Sequence, residues 1–152
     1  MLALVPAGFL VLVLLAAIAV DSAAAYLYQR ELHDALAAAA NDAVAASVNN
    51  NAFYGSGALT LDGRRVAEVV CQSLRAQRVG QLHGLSVAVA VSGDSVLLSG
   101  RATVNMVFGR AIPGWGRRQV SSRAEATLAS ASAETPTSGF GALRTLNCPP
   151  GG

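Results

Sequence analysis

Two cysteines, two histidines and a carboxylate pair on one helical turn are the residues of this chain that could do chemistry. Cys71 and Cys148 are an even pair. In an oxidising compartment they would join the end of the chain to its middle by a disulfide, a loop closure worth about 3 to 5 kcal/mol on chain-entropy grounds. The other reading makes Cys71 a small buried residue and Cys148 an incidental thiol on a loose end. Both remain open on the sequence. His33 and His83 lie far apart, and neither has a second ligand at a metal-binding spacing, so both read as surface histidines. Glu31 and Asp34 share a helical turn beside Arg30, the arrangement of a solvated pair rather than of a general acid and base. No G-x-S-x-G elbow, phosphate loop, dinucleotide fingerprint or C-x-x-C pair occurs. The expectation is a chain that is not an enzyme, with no cofactor, no metal and no small-molecule substrate.

The elements that would carry these residues begin with an apolar run from Leu2 to Val20, which holds no charge. At ~1.5 Å per residue a helix of that length spans about 28 Å, close to the ~30 Å thickness of bilayer hydrocarbon. Its membrane-facing side chains are Leu2, Leu4, Phe9, Leu10, Leu12, Leu14, Leu15, Ile18 and Val20, and insertion should be favourable by about 5 kcal/mol. A cleaved signal peptide is the alternative, with Ala23 and Ala25 as the small pair before a cut at Tyr26. That reading lacks a basic n-region, and the apolar core is longer than a signal needs. The first basic residue is Arg30, beyond the span, so the Lys/Arg rule does not set the orientation. A start further upstream, or removal of a basic leader, would account for the missing charge.

Helix-forming residues continue past the span. No Gly or Pro follows until Gly55, and Ala, Leu, Arg, Glu and Gln dominate, so one helix should run from about Leu2 to about Val48 and break in Asn49, Asn50 and Asn51. Beyond Asp21 it is amphipathic. Tyr28, Leu32, Ala35, Ala39 and Ala43 fall near one face, and their small size suits close approach by partner helices.

About a hundred residues remain for one small head. Residues 52 to 61 read as a connecting loop, with Phe53 and Tyr54 packed back on the domain. A second helix starts at Asp62 as N-cap, with Leu61 and Val66 at the spacing of a hydrophobic staple, a stripe of Val66, Val69, Val70 and Leu74, and an end at Gly80 or Gly84. It should cover a sheet. Three alternating runs follow: Leu85 to Ser92, Ser95 to Phe108, and Arg118 to Leu128. A tight turn at Gly93 and Asp94 joins the first two, and turn material from Ile112 to Gly116 joins the last two. In the middle run Met106 and Phe108 fall on the apolar face. Arg101, Thr103, Arg123 and Glu125 fall on the wet face. From residue 132 onward Ser, Thr, Gly and Pro indicate a flexible tail. The chain thus divides into a span at 1–20, its continuation at 21–51, a small head at 52–131 and a tail at 132–152. The formal charge is +2, and all 11 basic residues are Arg. That charge is small and dispersed, and the Arg64, Arg65, Arg75 and Arg78 cluster suits a solvated helix face, so nucleic acid is not an expected partner.

A resemblance rests on several of these stretches. The apolar span followed by Val20, Asp21, Ser22 and Ala23, then Gln29, Arg30, Glu31 and Leu32, then AAAANDAVAA from Ala37 to Ala46, resembles the amino-terminal signature of TadE/TadG-like proteins. AFYG at Ala52 to Gly55 and RAIPG at Arg110 to Gly114 are similar to members of that group, in what looks like its actinobacterial form. These are minor pseudopilins of the tight-adherence (Flp, type IVb) pilus system. The residue pattern gives an α+β fold, a long amino-terminal helix and then a shorter helix packed on a three-stranded antiparallel sheet, which is pilin-like in keeping with the resemblance. The resemblance also implies a single-pass protein of the cell membrane with its carboxyl domain extracytoplasmic. Its partners would be membrane lipid and other pseudopilins or pilus-assembly platform proteins. Prepilins normally carry a Glu five residues into the mature helix, whereas here no Glu precedes Glu31 and Val5 stands near the start. The reading from a different class is a secreted or tethered envelope binding module that uses the wet sheet face.

Overall fold

The computed structural model describes residues 4–57, 59–77, 82–111, 113–128, 140–146 and 148, and the side chains of residues 4 and 5 are not among what it describes. Leu2 and most of the expected tail, apart from 140–146 and 148, lie outside the described residues. The chain is α+β, with a long amino-terminal apolar helix and an antiparallel sheet of four strands.

Helix α1 runs unbroken over Leu4–Ala46. It stops short of the Asn triplet. Its last carbonyl, on Ala46, accepts from the Arg65 guanidinium at 2.8 Å. Val48 then forms a bridge with Leu61, and the Ser47 carbonyl accepts from the Asp62 amide at 2.9 Å. Instead of breaking the helix, Asn49 starts the next one. Its side chain accepts from the Ala52 amide at 3.2 Å and caps α2, Asn50–Ser56, in the stretch expected to be loop. Gly57 closes α2 at φ +73°, a left-handed conformation that glycine adopts without a Cβ penalty. Phe53 and Tyr54 do not pack back on the domain. They project from α2 and meet edge to face at 5.5 Å, with Tyr54 85% exposed.

Helix α3, Gly63–Ala76, begins as its sequence indicates: Asp62 accepts from the Arg64 amide at 2.9 Å, and Leu61 and Val66 are both buried. It ends at Ala76, before either expected glycine. Gly80 is not among the described residues, and Gly84 lies inside the first strand at φ +61°. Ser73 and Asp42 tie α3 to α1 by a hydroxyl-to-carboxylate bond of 2.7 Å.

Strands β1 (His83–Ser92), β2 (Ser95–Asn105) and β3 (Arg117–Thr127) form the expected meander, turning at Gly93 with φ +56°. A fourth strand, β4 (Arg144–Leu146), lies where tail was expected and pairs antiparallel with β1 through Val87 and Leu146, so the order is β3-β2-β1-β4. Three residues are too short to show a period of two. The Cys71–Cys148 disulfide fixes the chain just beyond β4 to α3, with a Cα separation of 5.4 Å.

The second half of α1 lies across β2 and β3, and α3 runs beside it. The closest cover of the sheet is therefore α1 and not α3 as expected, although Val66, Val70 and Leu74 of α3 join the same core. At the centre of the contact is Gly100. A Cβ there would fall 2.9 Å from a terminal carbon of Leu36 and 3.3 Å from one of Leu32, so the missing side chain sets how near the helix can come. This packing corrects the expected partner face. Leu32, Ala35, Ala39 and Ala43 are buried in the chain's own core, and Tyr28 is packed against it. Small side chains admit a neighbouring strand as readily as a second molecule's helix.

Candidate functional site

The molecule's own structure leaves the first half of α1 bare. Phe9, Leu10, Leu12, Leu14, Leu15, Ile18 and Val20 are all exposed, Phe9 by 69%. Leu4 belongs to the same helix by its backbone. This is one helix long and apolar enough to cross a membrane, and none of its apolar window is buried in the protein. Together with the exposed Val11 and Val13, these side chains form a surface that water would cover at high cost.

Where this surface ends, the chain builds its most distinctive polar site. Asp21 follows Val20 directly, and its carboxylate accepts three consecutive backbone N–H groups from the segment between β2 and β3: Val107 at 2.9 Å and Phe108 at 3.0 Å on Oδ1, and Gly109 at 2.8 Å on Oδ2. The Phe108 amide holds the Asp21 carboxyl below the usual carboxylate range; desolvation opposes the shift, and the Gly109 and Val107 amides reinforce it. Such charge-assisted bonds are stronger than neutral ones. They also explain why β2 stops at Asn105. Residues 107–109 turn their donors toward Asp21 rather than into the ladder, so Phe108 is half exposed instead of continuing the apolar face of the strand.

The rest of the segment is folded around that anchor. A 3-10 turn occupies Gly109–Ala111, the Met106 amide donates to the Gly116 carbonyl at 3.0 Å, and Gly114 adopts φ +87°. Gly109 has no room for a side chain, since a Cβ would stand 2.5 Å from the Trp115 carbonyl oxygen. Val107, Phe108 and Trp115 project from the loop, Trp115 by 71%. Between loop and helix is a cleft of about 390 Å³, lined in part by Ile18, Asp21, Trp115 and Arg118.

The other chemistry-bearing residues have structural roles or stand in solvent. His33 is exposed, and its Nδ1 lies 3.1 Å from both the Ser122 hydroxyl and the Arg123 carbonyl, joining α1 to β3. A carbonyl only accepts, so Nδ1 carries the proton in that contact. Arg30 and Asp34 form an exposed pair at 3.8 Å, and Glu31 is exposed beside them. Arg101, Arg123 and Glu125 stand exposed on the sheet face away from α1, with Thr103 half-buried among them. Asp21 is the residue whose role was not seen from the sequence. Its partners are 86 to 88 positions away, and the one local signal was a carboxylate placed directly after an apolar run. No family model, curated protein or solved structure matches the chain.

Proposed function

We propose that the protein is a non-catalytic, single-pass membrane component, pseudopilin-like, that assists assembly or anchoring of a Tad/Flp-type pilus with its head outside the cytoplasm. The observation that carries this reading is the continuity of α1: a bare apolar half passes without a break into a half that forms the core of a small α+β head. A pilin-like subunit needs that arrangement, an apolar helix that can rest in lipid and later pack against other helices, with the head borne on its continuation. The disulfide supports an oxidising location. Asp21 supports retention of the span, because a cut before Tyr26 would remove the acceptor of three amides. Since the head consumes the Leu32 to Ala43 face, partner helices would meet the span itself and the exposed Tyr26 and Leu27. The competing reading is an envelope binding module using the outer sheet face.

The deciding experiment is the intact mass of the native protein recovered separately from membrane, sheared surface material and culture medium. A mass that includes residues 2–20, in membrane or sheared filaments, is expected. A product beginning near Tyr26 and free in the medium would overturn the anchor and favour the secreted module.

A further inference from the structure

Val20 ends the apolar run, and the next residue grips the backbone of Val107, Phe108 and Gly109 on its carboxylate. The β2–β3 loop is thereby fixed at the level where the span would leave hydrocarbon. At that level it turns outward Val107 (59% exposed), Phe108 (49%) and Trp115 (71%). In water this is apolar surface left uncovered. At a bilayer surface it is the preferred depth of an indole ring, apolar in its body and polar at its N–H. Arg110, Arg117 and Arg118 stand exposed around the aromatic residues, and none of them forms an ion pair among the described residues. Arg117 and Arg118 are also among the residues that line the cleft of about 390 Å³, together with Ile18 of the apolar helix. The cleft thus joins the apolar surface of α1 to Arg118, while Arg117, the next residue back along β3, stands on the outer face of the sheet with Thr103 and Asn105. Asp21, at the same cleft, has both oxygens committed to amides.

We infer that the β2–β3 loop is a second membrane contact, in which Trp115, Phe108 and Val107 enter the headgroup–acyl boundary while Arg118 holds the phosphate of an anionic phospholipid in the cleft beside Ile18 and Arg117 adds positive charge at the same strand end. The inference rests on reading residues 1–20 as a bilayer span. The occupant is lipid because of where the cleft lies: anything filling it runs along the span at headgroup depth, with an apolar portion against Ile18 and an anionic portion at Arg118. Guanidinium groups match phosphate oxygens in pairs, which a neutral headgroup surface offers only beside a compensating cation. The contact would hold the head at one angle to the membrane.

Trp115 is the sole tryptophan, so its fluorescence reports on the loop alone. The full chain is reconstituted in vesicles of phosphatidylcholine, with and without phosphatidylglycerol, and recovered by flotation. The expected result is blue-shifted emission, quenching by lipids brominated on the upper acyl chain, and shielding from aqueous iodide, each increased by phosphatidylglycerol. Arg117→Gln combined with Arg118→Gln should abolish the dependence on phosphatidylglycerol while flotation and far-UV circular dichroism stay unchanged. Val107→Ser combined with Phe108→Ser should reduce lipid quenching in both compositions. Floating protein whose Trp115 emits as in water and is quenched by iodide would overturn the loop contact and leave the span reading standing. Lipid quenching that is the same in both compositions, and unchanged by the arginine substitutions, would overturn the phosphate site. Failure to float would overturn both the loop contact and the span.

Discussion

Oδ2 of Asp21 accepts the amide of Gly109 at 2.8 Å, across 88 positions of sequence, and so joins α1, at the end of its apolar run, to the loop between β2 and β3. Asp21→Ala removes the acceptor for three amides at once. Hydrogen exchange should show residues 107–109 losing protection while the β1–β2 pairing keeps its own. Equal protection in both proteins would mean that the loop holds itself.

The pH response of this contact has a definite sign. Asp21 is held below its ordinary 3.8, first by the Phe108 amide. A carboxyl with a lowered folded value contributes stability that is fully present above 3.8 and is lost as pH falls through that lowered value. Protection of residues 107–109 should therefore be flat from neutrality down to 3.8 and decline only below it. A decline near neutrality would assign the switch to another group.

Gly109→Ala tests the loop from its other side. The added Cβ meets the Trp115 carbonyl oxygen, a backbone atom that cannot move aside as a flexible side chain would. Overpacking of this kind costs about 1 to 3 kcal/mol. The readout is a changed Trp115 emission with loss of the Asp21-dependent protection; a silent substitution would show that the loop can rearrange freely.

Reduction of the disulfide should release β4. The bond joins residues 77 positions apart, and a loop of that size corresponds to about 4 kcal/mol on chain-entropy grounds. Cys71→Ser combined with Cys148→Ser should lower the thermal midpoint and expose the amides of residues 144–146 to exchange. An unchanged midpoint would mean that the three-residue strand holds without its clamp.

Leu36 and Ala39 are both fully buried under the sheet. Leu36→Ala should cost about 2 to 5 kcal/mol in unfolding by denaturant. Ala39→Trp has no space and should prevent the head from folding, whereas a partner-facing Ala39 would accept Trp and leave the head intact.

Much of the architecture could be read in the residues themselves. The long apolar helix, the Asp62 cap with its Leu61 and Val66 staple, the Gly93 turn and three alternating strands all depend on neighbours within a few positions. The misreadings share a different cause. Leu32, Ala35, Ala39 and Ala43 form a small-residue stripe that suits any close neighbour, and the sequence does not say whose. Asn49 can end one helix and cap another by the same side-chain oxygen, so the sequence does not distinguish α2 from a loop. Strand β4 and the role of Asp21 depend on contacts between distant segments, which leave no periodic trace.

Helix α1 has no glycine beyond Gly8 and no proline beyond Pro6, and at ~1.5 Å per residue its 43 residues extend about 65 Å. It therefore contains no hinge between the part that would lie in lipid and the part clasped by the sheet. Twisting the lower half about its axis must swing the upper half through the same angle. The direction in which Arg101 and Arg123 face would then follow from whatever packs against Phe9, Leu12 or Ile18.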